Sequence, residues 1–211
     1  MNAAMLRRIL MLSLLAAPAW AQQPEAPNGI LLVAKENLRD PNFSQTVVLV
    51  TQAQDGGTVG VILNRPSGRK HPASGAEIFI GGPVMREVVV ALFRSERAPP
   101  APAFHVLRGI YLSMHPGNVD PLLGGTATVR HRLYTGFSGW APGQLESEMR
   151  QEGWYVLPAS DEIVFRADTS GMWQELVEQA RGARTDSRII PHPAVSKWSL
   201  ALSWRESKGV Y

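Results

Sequence analysis

The stretch Thr46-Val47-Val48-Leu49-Val50-Thr51-Gln52-Ala53-Gln54-Asp55-Gly56-Gly57-Thr58-Val59-Gly60-Val61-Ile62-Leu63 decides the fold. Its first five residues are continuous and β-branched, as in a strand buried on both faces. Asp55-Gly56-Gly57 is a hairpin turn signal, and Thr58 to Leu63 returns as the partner strand. Upstream, Gly29-Ile30-Leu31-Leu32-Val33-Ala34 is a short apolar run after a glycine, another buried strand. Asp40-Pro41-Asn42 between them is turn chemistry, with proline presetting φ and Asx side chains able to bond nearby backbone.

Downstream the same reading continues. Arg69 to Ala76 is a polar loop, and Ile78-Phe79-Ile80 is a strand running into Gly81-Gly82-Pro83. Val88 to Phe93 is a further strand, and Ala98 to Ala103, with three prolines, is a loop. Phe104 to Ser113 resumes the β pattern, with a break at Gly109. Thr126 to Tyr134 alternates, placing Val129, His131 and Leu133 on one face. Trp154 to Leu157 and Ile163 to Phe165 read as strands. Helical spacing predicts two helices. Gly143 to Gln151 carries Leu145 and Met149 on one face, with Glu146 and Arg150 as an i,i+4 pair. Gly171 to Arg181 carries Met172, Trp173, Leu176, Val177 and Ala180, with Gly182 at C′. The expected architecture is α+β: a single domain with a mixed, mostly antiparallel sheet of many short strands and a few packed helices.

The 211 residues suit one domain, and 45% hydrophobic with 18% charged residues is a globular composition. The first 21 residues read as a signal peptide: Arg7-Arg8, an apolar run from Ile9 to Ala17, then Ala19-Trp20-Ala21 with cleavage before Gln22. That run is far shorter than the ~20 apolar residues of a membrane span, so no transmembrane span is expected after leader removal. The expected location is periplasmic or secreted. Residues 22–28 read as a flexible N-terminus, 29–182 as the domain and 183–211 as a C-terminal extension with Trp198 and Trp204. The whole chain has net charge +3, but Arg7 and Arg8 leave with the leader. The 21 basic residues then become 19 against 18 acidic, a net of +1, and nucleic acid is not an expected partner. Absence of cysteine excludes disulfides, thiol nucleophiles and thiolate metal sites.

Four short motifs stand in fixed order: Asp40-Pro41-Asn42-Phe43, Leu63-Asn64-Arg65-Pro66, Gly81-Gly82-Pro83-Val84, and Gly136-Phe137-Ser138-Gly139-Trp140-Ala141-Pro142-Gly143-Gln144-Leu145-Glu146. As a set they resemble the YqgE/AlgH family, over about Gly29 to Leu176. The resemblance implies a compact α+β protein with a largely antiparallel sheet, and no assigned biochemical activity. One branch of that family is linked by name to exopolysaccharide synthesis and described as a transcriptional regulator. Typical members have no export leader, so residues 1–21 depart from the pattern, and an exported protein does not reach DNA.

As chemistry the motifs point to binding. Glycines at 81 and 82 allow close backbone approach and can present N–H groups to an anion. Arg65, at a strand end beside proline, carries the fork of donors that holds phosphate or carboxylate. Arg65, Arg69, Lys70 and His71 form a small basic cluster. Gly136-Phe137-Ser138-Gly139-Trp140 is not a nucleophile elbow, because its fifth position is Trp140. Its glycines are expected to make a strand-to-helix turn. The histidines at 71, 105, 115, 131 and 192 show no zinc spacing, although His115 and Asp120 share one expected loop and could form an acid–base pair. The expected function is non-enzymatic binding of a small anionic ligand or an envelope protein partner, without cofactor or metal. The expected cleft residues are Asn42, Asn64, Arg65, Gly81, Gly82 and Gln144. The alternatives are a cytoplasmic transcriptional regulator of exopolysaccharide synthesis, with the leader retained, and a hydrolase using His115, Asp120 or Asp40.

Overall fold

The computed structural model describes residues 27–53, 56–126, 128–151 and 153–185. The expected leader, most of the expected N-terminal segment 22–28 and most of the expected extension 183–211 lie outside the described residues. In chain order the elements are β1 (Ile30–Ala34), β2 (Val47–Gln52), β3 (Thr58–Ile62), β4 (Pro66–Lys70), β5 (Glu77–Ile80), β6 (Val84–Arg94), β7 (Phe104–Leu107) and β8 (Ile110–Ser113). There follow α1 (Pro116–Leu123), β9 (His131–Trp140), α2 (Gln144–Arg150), β10 (Trp154–Pro158), α3 (Asp161–Val164) and α4 (Met172–Thr185).

The strands form one sheet in the order β10-β1-β2-β3-β9-β6-β8-β7, with β4 and β5 branching from β9. The β2–β3 hairpin forms as expected, with Val50 opposite Gly60. Among the described residues, β5 pairs β9 in parallel and the other pairs are antiparallel. The sheet curls until its far end meets its start, where the Gly29 N–H donates to the Val106 carbonyl at 2.8 Å. The architecture is α+β.

Alternation sorts the strand residues between two faces. Leu31, Val33, Leu49, Val61, Val90, Leu92 and Tyr134 enter the inner core, closed by Met172, Leu176, Val177 and Ala180 of α4. The outer face has two separate covers. Ile30, Leu32, Val48, Val50 and Ile62 lie beneath α2 with Trp140 and Trp154. Ala91, Phe93 and Leu133 lie beneath Val119 and Leu122 of α1.

β9 is the axis of the sheet. β6 runs along one edge, while β3 and β5 share the other. The chain must therefore cross β9 between β5 and β6, and it does so at Gly81-Gly82-Pro83. A Cβ on Gly81 would sit 2.2 Å from the Gly136 carbonyl oxygen, and one on Gly82 would sit 2.3 Å from that of Phe137. Gly136, directly beneath, has φ 67° and would place a Cβ 2.8 Å from the Gly82 carbonyl. Three side-chain-free positions let two backbones cross in contact.

Several elements differ from the sequence reading. Residues 66–70, in and before the expected loop, form edge strand β4, whose exposed polar residues carry no apolar alternation. Residues 163–165 belong to helix α3 and its C-cap, with the Ser160 hydroxyl accepting from the Ile163 N–H at 3.4 Å. The loop expected around His115 and Asp120 is helix α1, with Pro116 in its first turn, where a missing N–H costs nothing. Thr126 and Thr128 to Arg130 are not strand, and β9 instead runs on through Gly136 to Trp140, so these glycines lie in a strand and the turn falls at Ala141–Gly143. Glu146 is buried and forms no ion pair with Arg150. Helix α4 continues past Gly182 to Thr185.

Two polar side chains of β9 enter the inner core. Arg132 is 8% exposed and has no carboxylate partner among the described residues. Its guanidinium lies 4.5 Å from the Phe79 ring centroid and donates to the carbonyls of Leu63 and Arg166. The Tyr134 hydroxyl is buried facing the Arg132 guanidinium, without a hydrogen bond of ordinary geometry among the described residues. Burial pushes its pKa from 10.0 up to about 12, partly opposed by the Arg132 charge.

Two predictions follow from these contacts. Gly81→Ala and Gly136→Ala should each cost about 3 kcal/mol or more, read by urea unfolding. Gly75→Ala, where a left-handed backbone faces open space, should cost about 1 kcal/mol; equal losses would mean the crossing is not the constraint. For Tyr134, the unfolded chain ionises near pH 10 and the native one near 12, so the unfolded state gives up its proton first. Stability from this group is intact below pH 10 and falls as pH rises towards 12, by up to about 3 kcal/mol. Tyr134→Phe should remove that alkaline slope and change stability at pH 7 by no more than about 1 kcal/mol. A loss of several kcal/mol at pH 7 would reveal a bonded hydroxyl.

Candidate functional site

The four motifs come together around the glycine crossing. In the first, the Asp40 carboxylate accepts from the Asn42 N–H at 2.7 Å, and the Asp40 carbonyl accepts from Phe43 and Ser44 at 3.0 and 2.7 Å. This tight turn presents Pro41 and Asn42 outward and drives Phe43 inward. The Phe43 ring lies 5.6 Å from both Trp140 and Trp154, so the fourth motif's tryptophan anchors the first motif's turn.

The second motif joins the first to the third. Asn64 continues the β2–β3 ladder with its side chain: Oδ1 accepts from Val47 N–H at 2.9 Å and Nδ2 donates to the Gln45 carbonyl at 2.9 Å. Arg65 Nη1 donates to the Asn42 carbonyl at 2.7 Å and Nη2 to that of Ser44 at 3.4 Å. The Arg65 carbonyl accepts from Ile80 N–H at 2.9 Å, beside the glycines. Partial burial lowers the Arg65 pKa from its ordinary value, and the group stays cationic at any physiological pH.

In the third and fourth motifs, Gly81 donates to the Thr135 carbonyl at 2.9 Å, while its own carbonyl accepts from Ile62 N–H at 3.0 Å and the buried Ser138 hydroxyl at 3.1 Å. Ser138 is thereby a structural tie and not a nucleophile. Gln144 begins α2, where Oε1 accepts from Ala141 N–H at 3.2 Å and Nε2 donates to Glu148 at 3.2 Å.

Above the crossing lies an open groove of about 480 Å³. Pro41, Asn42 and Arg65 form one wall, Ser67 and Arg69 of β4 another, and Pro83 and Arg86 the far side. Ile80, Gly82 and Thr135 form its floor. Of the residues expected in a cleft, Asn42, Arg65 and Gly82 line this groove. Asn64, Gly81 and Gln144 do not, because their polar groups are used in the joints beneath and beside it.

The groove's charge is one-sided. Arg65, Arg69 and Arg86 line it, and among the described residues no carboxylate does. The Arg69 and Arg86 side chains are exposed and form no hydrogen bond or ion pair among the described residues. Arg86 was absent from the sequence-derived set. Its signal was proximity: it stands three residues after Pro83, in a run whose β-bulge the sequence does not announce. The groove contains no histidine, and Ser67 is occupied, donating to the Ile78 carbonyl at 2.6 Å. His115 caps α1, its Nδ1 accepting from Gly117 N–H at 3.1 Å, and it is not paired with Asp120. Among the described residues, no group of three or more His, Asp or Glu is placed to hold a metal. No helix among them is long and apolar enough to cross a membrane.

Comparison with known proteins fits this anatomy. A family model described as AlgH-like matches residues 31–184. A UPF0301 protein of Thermobifida fusca is 36% identical over 182 residues, covering 78% of this chain and 92% of that one. A UPF0301 protein of Mycobacterium tuberculosis is 35% identical over 176 residues, covering 77% and 85%. Among solved structures, the AlgH protein of Pseudomonas aeruginosa superposes with a TM-score of 0.61 at 24% identity, covering 81% of this chain and 97% of that one. A Corynebacterium diphtheriae protein superposes at 0.57 with 21% identity, covering 82% and 91%. The structural likenesses speak to fold alone. On the family match and the sequence relatives, this chain belongs to the AlgH-like, UPF0301 family.

Proposed function

We propose that this protein binds an anionic ligand in the groove above the glycine crossing, without catalysis. The observation carrying this reading is three guanidinium groups around one concavity that no carboxylate of the described residues lines. Planar guanidinium forks match phosphate and carboxylate oxygens, and two of the three are uncommitted. Arg65 has a double task, since its contacts to the 42–44 turn also shape the wall. A hydrolytic reading lacks a base, because no histidine or carboxylate of the described residues lines the groove. We further place this binding in the periplasm, on the sequence of residues 1–21.

Calorimetric titration with inorganic phosphate, pyrophosphate and citrate tests the binding. At least one should bind, more weakly as salt rises. Arg69→Ala and Arg86→Ala should each lower that affinity about tenfold with little change in melting temperature. Arg65→Ala should lower affinity and stability together. Affinity untouched by the Arg69 and Arg86 substitutions would exclude the groove. The location is tested by mass spectrometry of the native N-terminus: a start at Gln22 supports export, and a retained Met1 removes it.

A further inference from the structure

We infer that the occupant of this groove is an acidic polypeptide segment carrying an apolar side chain between its carboxylates. The inference rests on the anion-binding reading and names the partner it serves. It starts from the outer face of the sheet. On β9, Leu133 is covered by α1 and Trp140 by α2, and Thr135 lies between the two covers. On β5, Phe79 enters the inner core and leaves Ile80 on the opposite face, 37% exposed. The groove is the gap between the covers, and Ile80 is the apolar side chain exposed on its floor.

Next to Arg86 in the chain stands a second exposed apolar group. Met85 is 52% exposed and adjoins Arg86 in sequence. It holds φ 45°, a left-handed backbone that disfavours a long side chain. A flexible, exposed thioether one residue from a groove-lining arginine is an adaptable contact surface for an occupant that extends past that arginine. A bare phosphate would use the arginines and leave Ile80 and Met85 in water. An occupant that covers all of them needs negative charge on both sides of an apolar group.

An extended peptide meets that need, because alternate residues share one face about 7 Å apart. The pattern that fits is acid, any residue, apolar, any residue, acid. Recognition runs through side chains and not through strand addition. The free edge of β4 begins with Pro66 and is bulged between Pro66 and Arg69, both of which blunt an edge against pairing.

Selection of a random dodecapeptide phage library on the purified protein, followed by fluorescence titration of the winning peptides, tests this. Selected sequences should be enriched in Asp or Glu at alternate positions around an aliphatic residue. Arg86→Glu should weaken those peptides about tenfold or more. Met85→Ser should weaken them about threefold or more and leave pyrophosphate binding unchanged, with Met85→Leu restoring the peptide affinity. Melting curves establish that each variant is folded. Enrichment without acidic residues, or peptide affinity indifferent to Met85→Ser, would overturn the inference. If pyrophosphate still binds through Arg86 in that case, the anion site stands and only its polypeptide occupant falls; if neither probe binds, both readings fall.

Discussion

Everything near the groove depends on two backbones crossing in contact. The chain leaves β5 on one edge of β9 and must reach β6 on the other, which no hairpin achieves. Gly81 and Gly82 pass over Gly136 at distances that leave no room for a single methyl group. The crossing then serves as a hydrogen-bonding hub, with the Gly81 carbonyl taking both the Ile62 N–H and the Ser138 hydroxyl. Because β3, β5, β6 and β9 all meet there, the position of each is set by the others.

The motifs are accordingly joints first and surface second. Asn64 substitutes for a missing ladder rung, Phe43 wedges between two tryptophans, and Ser138 ties a strand to the crossing. Arg65 stands at the boundary between the roles, bonded to the turn on one side and facing the groove on the other. Buried Arg132 supports the same corner from within. It donates to the carbonyls of Leu63 and Arg166 and lies over Phe79, the residue before Ile80. A charge without a carboxylate is tolerable in a core when carbonyl dipoles and an aromatic face stand in for one.

Legibility in the sequence tracked burial. The strands buried on both faces announce themselves, β1 and most of β2 as apolar runs and β3 as the partner returning from a hairpin turn signal, and the structure finds them there. Strand β4 is polar and exposed, so its only signal is its partner. Helix α1 is hidden by Pro116, Gly117 and Pro121, which read as loop until packing beneath Val119 and Leu122 outweighs propensity. For the groove, residue type pointed to Arg65 and the glycines, but which polar groups remain for a ligand depends on hydrogen bonds between distant segments. Asn64 and Gln144 are chemically suited to a ligand and are spent on the fold. Arg86 carries no motif and is brought to the groove by the bulge between Val84 and Val89.

The central position of β9 has a consequence for the order of assembly. The hairpin β2–β3 is local and can form early, but β3, β5 and β6 each need β9, which lies far downstream. Contacts so distant in sequence close slowly, since loop entropy must be overcome before pairing rewards it. Until residues 131–140 arrive, Arg65, Arg69 and Arg86 sit on segments that have no common frame. The concave surface thus exists only in molecules in which β9 has joined β3, β5 and β6.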